Sequence, residues 1–176
     1  MHEAAQKTPG GMAAVLGLSF DDAAAVAAEA GVVLANDNAP GQVVLSGSED
    51  GLATAAGLVR GRGGRTVLLD VTGPYHTDAM RPAAPALKEA LRKAEINLPR
   101  TPVVSNITAR PYTSPEEIRE LLVEQLMNRV RFRESLLWLA GQGVSEYEDL
   151  GPGRVAAGLV QRTFGSVATK KEAVRA

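Results

Sequence analysis

Between residues 11 and 72, short apolar runs alternate with capped helical segments, and turn residues punctuate each junction. The run at 12–18 reads as a buried strand. Ser19-Phe20-Asp21-Asp22 then starts a helix, with Ser19 or Asp21 as N-cap, residues 23–30 as its body and Gly31 as its close. Residues 32–36 form a second strand, Asp37-Asn38-Ala39-Pro40-Gly41 a turn, and residues 42–47 a third strand. Ser48-Glu49-Asp50 caps a helix through Arg60; the break at Gly61-Arg62-Gly63-Gly64 leads into a fourth strand over 65–71. The order β-α-β-β-α-β is the split βαβ, or ferredoxin-like, arrangement, which fits inside about sixty residues.

The remainder has a different texture. A helix begins at Arg81-Pro82 and carries Leu87 and Leu91 on one face, and Val103-Val104-Ser105-Asn106 reads as a strand. Ser114-Pro115-Glu116-Glu117 is a helix start with a serine cap, proline at the first helical position and glutamate three residues after the cap. That helix is expected to reach Asn128. A second helix covers 132–140, a strand 144–150 and a last helix 155–164, after the turn Gly151-Pro152-Gly153; the polar tail from 168 to 176 is expected to be loose. Strands alternating with helices place this half in an α/β layer. The strand at Val103 has no evident partner, so the layer reads as incomplete. Residues 2–7 resemble the last turns of a helix, so the chain reads as starting part-way through an element.

Composition narrows the chemistry. With no cysteine there is no disulfide framework, thiol nucleophile or thiolate metal site. Nineteen Lys and Arg nearly balance twenty Asp and Glu, which argues against a nucleic-acid or membrane-surface field. No run approaches membrane-spanning length and the first residues are unlike a secretion signal, so a cytoplasmic protein is the default expectation.

Of two histidines, one is His2 and the other lies in Gly73-Pro74-Tyr75-His76, a Gly-Pro corner between an apolar run and a helical pattern. A corner of that kind can aim an imidazole into a cleft as a general base; a histidine that merely ends a strand is the plainer use. Gln125 falls at the centre of the apolar stripe Ile118, Leu121, Leu122 and Leu126. A buried amide or its backbone must find a partner, either a neighbouring loop or a catalytic group that it orients. Asn38 reads first as a turn residue. Gly151-Pro152-Gly153 reads as a strand-to-helix turn or an anion site. Arg129, Arg131 and Arg133 read as a solvated basic face or a surface for an acidic partner. A histidine base calls for a nucleophile, yet the nearest string to a serine elbow, Gly17-Leu18-Ser19-Phe20-Asp21, has aspartate where the second glycine belongs. Ser19 is therefore a helix cap, and no other serine fits.

These pieces together resemble the malonyl-CoA:acyl-carrier-protein transacylases of fatty acid synthesis. The motifs that carry the resemblance are the segment 11–18, Asn36-Asp37-Asn38-Ala39-Pro40-Gly41-Gln42-Val43-Val44-Leu45-Ser46-Gly47, Gly73-Pro74-Tyr75-His76, Pro102-Val103-Val104-Ser105-Asn106, Gln125-Leu126 with Val130-Arg131-Phe132, and Glu148-Asp149-Leu150-Gly151-Pro152-Gly153. They stand in order at the family's spacing from about Gln6 to about Thr163.

The resemblance implies an α/β protein: residues 1–10 a remnant of a large-domain helix, residues 11–72 a ferredoxin-like subdomain, and residues 73–176 the C-terminal part of an α/β-hydrolase-like acyltransferase domain. It implies transfer of malonyl from coenzyme A, through a serine, to the phosphopantetheine thiol of acyl carrier protein, with malonyl-CoA as substrate and no bound cofactor or metal. On this mapping His76 is base and acid, the backbone carbonyl of Gln125 orients it, and Asn38 lies beside the substrate. Tyr75 before the histidine fits the malonyl-selective type. The family's nucleophilic serine, oxyanion hole and malonyl-binding arginine fall upstream of the matched segment. The expectation is thus a truncated form, inactive alone, with an apolar face uncovered. The competing expectation is a non-catalytic ferredoxin-like binding module or a relic acyltransferase.

Overall fold

The computed structural model describes residues 1–151 and 153–165, with the backbone of Thr169–Lys170. Strand β1 (Gly11–Leu16) is followed by helix α2 (Phe20–Ala30), which the short helix α1 (His2–Lys7) precedes in the chain. Ser19 is the cap of α2: its Oγ accepts from the Asp22 amide at 3.1 Å. Gly31 closes the helix at φ 67°, in the left-handed region that glycine enters without strain. Helix α3 (Glu49–Gly61) starts the same way, with Ser48 Oγ accepting from the Gly51 amide at 3.2 Å.

Strands β2 (Val33–Ala39), β3 (Gln42–Gly47) and β4 (Arg65–Leu68) join β1 in a four-stranded sheet ordered β2-β3-β1-β4, with every pairing antiparallel. The pleat sends alternate residues to opposite faces. Ala13, Val15, Val43 and Leu45 pack under Val26, Ala27, Leu52, Ala55 and Val59 of the two helices and form the main core. Each fully buried Val or Leu there contributes roughly 1.5–3 kcal/mol. Met12, Ala35 and Val44 gather in a smaller cluster on which Tyr75 packs, and Ser46 shares the pleat parity of Val44. Burying both faces explains why the central strands read as continuous apolar runs rather than alternating ones.

Three strands of this sheet end elsewhere than the sequence suggests, and the first of these, β1, stops at Leu16 rather than at residue 18. β2 continues through Ala39, so Asn38 is a strand residue and the turn is confined to Pro40–Gly41. Asp37 stands opposite Val43 and Ala39 opposite Gln42, which makes Asn38 the extra residue of a β-bulge. β4 stops at Leu68, three residues early, although the Leu69 amide still reaches the Met12 carbonyl at 2.9 Å.

In the second half, a 3-10 turn over Asp78–Ala83 precedes α4 (Ala84–Lys93), so that helix starts later than Arg81-Pro82 suggests. Helix α5 (Pro115–Glu124) is capped by Ser114, whose Oγ accepts from the Glu117 amide at 3.0 Å; Glu117 reaches back to the Thr113 amide at 2.6 Å. α5 ends short of Asn128, and Leu122, expected on the buried stripe, is exposed. Helices α6 (Phe132–Gly141) and α7 (Val155–Phe164) follow their expected bounds closely. The strand expected at Val103-Val104-Ser105-Asn106 is only a bridge between Val104 and Pro111. There Ser105 Oγ accepts from the Ile107 amide at 3.2 Å and turns the chain. The strand expected over 144–150 shrinks to β5 (Tyr147–Glu148), paired in parallel with β6 (Thr169–Lys170). Pro152 and, apart from the β6 backbone, the tail from 168 to 176 lie outside the described residues. Leu68, Leu150 and Val155 are exposed apolar side chains.

A second cluster, Ala4, Ala5, Met80 and Leu126 with Tyr75 against it, joins α1, the 3-10 turn and the end of α5. Its closeness depends on Gly73, where an added Cβ would lie 2.5 Å from the Ala5 Cβ. Gly57, in the exposed interior of α3, has nothing within 4 Å of such a Cβ. Gly73→Ala should therefore destabilise the chain by about 1–3 kcal/mol, whereas Gly57→Ala should stabilise it by about 0.5–1 kcal/mol. Opposite shifts of the denaturant midpoint check the pair; equal shifts would contradict this account of the α1 contact.

Candidate active site

His76 is one of two non-glycine residues with positive φ among the described residues, at 60°. A side chain in that region costs of order 1–3 kcal/mol and persists only where the surroundings over-determine it. Several contacts do so. The Tyr75 amide donates to Gly73 O at 3.0 Å, and Thr77 Oγ1 donates to Pro74 O at 2.6 Å. Ser46 Oγ, from β3, donates to the Tyr75 carbonyl at 2.7 Å. The Tyr75 ring lies against both the Met80 cluster and the Met12 cluster, and its hydroxyl meets Thr72 Oγ1 at 2.8 Å. The corner is thereby fastened to the sheet on one side and to α1 on the other.

Gln125 caps the C-terminal end of α5, where its amide still donates to Leu121 O at 2.9 Å but its carbonyl is released from the helix ladder. That carbonyl lies 3.0 Å from His76 Nδ1. A carbonyl only accepts, so Nδ1 carries the proton and the neutral ring has its lone pair on Nε2. The Gln125 side-chain Nε2 is 3.4 Å from the same Nδ1 and 3.1 Å from Asn128 O. An amide NH2 cannot donate to a nitrogen that already bears a proton, so its hydrogen bond goes to Asn128 and the longer approach is a contact only. His76 is half-buried, and its Nε2 has no hydrogen-bond partner among the described residues. The result is an imidazole with one nitrogen anchored and the other without a partner among the described residues.

Asn38, at the bulge of β2, is half-buried and makes no side-chain hydrogen bond to His76 or Gln125. Its neighbour Asp37 carries a contact missing from the sequence reading. The Asp37 carboxylate, with its side chain 2% exposed, is gripped by the Arg133 guanidinium at 2.9–3.0 Å through both oxygens. Beside it the Asp37 amide donates to Val130 O at 2.9 Å and the Val130 amide to Ala35 O at 2.8 Å, which closes the free edge of β2.

The arginines are thus not a plainly solvated face. Arg133 is the half-buried partner of the buried Asp37, while Arg131 pairs with Glu134 and donates to Ile107 O at 2.9 Å. Arg129 stands over the Phe20 ring at 4.9 Å. Near the Gly151-Pro152-Gly153 string, of which Pro152 lies outside the described residues, Asp149 accepts from the Gly151 and Ala157 amides at 3.0 Å each. Clefts between α1 and α4, between α4 and α5, and along β1, α3 and β4 are not lined by His76. No group of three or more His, Cys, Asp or Glu able to hold a metal ion occurs among the described residues.

Residues 1–174 match the acyl transferase domain model. This chain belongs to the acyl transferase family. A malonyl CoA-acyl carrier protein transacylase of Bacillus subtilis is 41% identical over 168 residues, covering 92% of this acyl transferase chain and 53% of that protein. Among solved structures, a malonyl-CoA:acyl carrier protein transacylase from Xanthomonas oryzae superposes with a TM-score of 0.91 at 39% identity, covering 97% of this chain and 56% of that one. A type II polyketide malonyl-transacylase solved with its acyl-carrier protein superposes at 0.90 with 32% identity, covering 97% and 58%. The chain spans about half the length of the curated relatives it matches.

The Asp37–Arg133 pair escaped sequence reading because its members lie 96 positions apart and Asp37, between Asn36 and Asn38, reads as one polar residue of a turn. Around it, the hydrogen bond from Arg131 holds the Glu134 carboxyl below its usual range, and Arg129 and Arg133 add to this against the opposing effect of burial. A carboxyl lowered on folding stabilises above its unfolded pKa of about 4.3, and that contribution disappears as pH falls through the folded value. Glu134→Gln should therefore flatten the acid limb of the stability profile below pH ~5. Stability measured by denaturant at a series of pH values checks this, and an unchanged limb would contradict the assignment.

Proposed function

We propose that this chain provides the acid–base half of a malonyl-CoA:acyl carrier protein transacylase. The observation that carries the reading is the His76 imidazole fixed through Nδ1 on the Gln125 carbonyl with Nε2 unpaired. An Nε2 so prepared takes the proton of a serine hydroxyl as that oxygen attacks the malonyl thioester, and returns it to the departing coenzyme A thiolate. In the second half it takes the proton of the phosphopantetheine thiol. The thiolate then attacks the acyl-serine ester, and the proton returns to the serine oxygen as its bond to the malonyl carbonyl breaks. Gln125 acts through its backbone, so its role survives a change of side chain; Asn38 is assigned to the substrate side of β2. The reading requires a serine presented to Nε2, and no described serine hydrogen-bonds to it.

The domain division proposed is residues 1–10 with the large domain, residues 11–72 as a ferredoxin-like subdomain, and residues 73–176 as the C-terminal part of the large acyltransferase domain. The antiparallel order β2-β3-β1-β4 under two helices supports the second assignment, and the clustering of Ala4 and Ala5 with Met80 and Leu126 supports joining the first to the third. Acyl carrier protein as partner and a coenzyme A thioester as donor follow the names of the relatives, and a cytoplasmic setting in fatty acid synthesis belongs to the same proposal. No helix among the described residues is long and apolar enough to cross a membrane.

The test is transfer of labelled malonyl from coenzyme A to acyl carrier protein by the protein that carries these residues. His76→Ala should lower turnover by about 10³-fold or more, and Gln125→Ala, which keeps the carbonyl, by far less. Turnover within a few-fold of the unsubstituted protein for His76→Ala would remove His76 from the reaction. The 176 residues alone should form no acyl-serine with labelled malonyl-CoA; an adduct would reveal a nucleophile that the geometry does not suggest.

A further inference from the structure

Both partners of the His76–Gln125 hydrogen bond are tied to the small sheet, and to adjacent strands of it. On the histidine side the tie is Ser46 of β3, whose side chain is fully buried and whose hydroxyl donates to the Tyr75 carbonyl at 2.7 Å. That carbonyl belongs to the peptide plane leading into the His76 amide, the plane against which the His76 φ of 60° is set. Holding it limits the rotation that would return His76 to an ordinary conformation and swing its ring from Gln125. On the glutamine side the tie is β2. The segment that continues from Gln125 is zipped to β2 through the Val130 hydrogen bonds and clamped by Arg133 on Asp37. β2 and β3 pair directly, with Asn36 opposite Val44 and Val33 opposite Ser46.

We propose that Ser46 and the Asp37–Arg133 pair are positioning residues that use the β2–β3 ladder as a common template for the His76 imidazole and its acceptor. The small sheet then sets the tautomer of a histidine that lies outside it. This rests on the reading of His76 as the proton carrier only for its catalytic meaning; the geometry is testable without turnover. Neither contact is needed to fill the helix-covered core, because Val44, Ser46 and Asp37 stand apart from the cluster beneath α2 and α3. A guanidinium fork also fixes direction in a way that a lysine point charge does not.

The experiment is imidazole ¹⁵N spectroscopy of the 176-residue chain labelled at histidine, at a pH where the ring is neutral. In the unsubstituted chain His76 should be held as the Nδ1–H tautomer. Ser46→Ala should lower the ratio of Nδ1–H to Nε2–H tautomer by about fivefold or more, the factor that loss of one hydrogen bond commands. Amide signals of the α2–α3 core should stay in place. Thr54→Ala, which removes an exposed hydroxyl bonded only within α3, is the control and should change nothing. Should Ser46→Ala not fold, Arg133→Lys decides, with the same fall expected. An unchanged ratio in a folded Ser46→Ala chain, or in Arg133→Lys where that variant decides, overturns the template while leaving His76 its proposed role. A His76 that carries its proton on Nε2 in the unsubstituted chain overturns both.

Discussion

A backbone carbonyl that has left its helix accepts a hydrogen bond from a half-buried imidazole, and the proposed chemistry is organised around that one contact. It needs a helix that stops at Gln125, so that the carbonyl is free, and a loop in which His76 adopts a conformation that most residues avoid. Neither condition is local. The end of α5 is held by the docking of Val130 on β2 and of Leu126 among Ala4, Ala5 and Met80. The loop is held by Ser46, Thr77 and the Tyr75 ring wedged between two apolar clusters.

In the proposed function the orienting group is a carbonyl rather than the carboxylate of a serine-protease triad, and this has a physical consequence. A carboxylate would set a negative charge beside an imidazolium formed during proton transfer and stabilise it; a carbonyl offers orientation and a partial dipole. The work of alignment therefore falls more heavily on rigidity. The structure places rigid elements around the site: two central strands buried on both faces, a glycine at 73 that lets α1 approach, and a bidentate ion pair where a single contact would allow rocking. Burying Asp37 is worthwhile only with such a partner, because a buried ion pair repays its desolvation through geometry.

Features governed by neighbouring residues were legible in the sequence. Ser19, Ser48 and Ser114 each cap the helix expected of them, because the hydroxyl and the amide it satisfies lie three residues apart. His76 stood out as the internal histidine at a Gly-Pro corner, and Gln125 as an amide on an apolar stripe. The structure brings that pair together but leaves Asn38 unconnected to it by hydrogen bonds. Features governed by distant partners were not legible. The run at Val103 has strand-forming residues, yet a ladder needs a neighbour, and only Pro111 bridges to it. Arg133 looked like one of three alternating surface charges until the fold set it against Asp37, and the β2 bulge beside Asp37 leaves no trace in local pattern.

The hydrogen bond between His76 Nδ1 and the Gln125 carbonyl is what the proposed function depends on. The most direct measurement is an NMR correlation across that bond, in protein labelled with ¹⁵N at histidine and ¹³C at the glutamine carbonyls. A resolved correlation from His76 Nδ1 to the Gln125 carbonyl carbon is the predicted result. A His76 ring whose Nδ1 exchanges freely with water, with no correlation to Gln125, would contradict it.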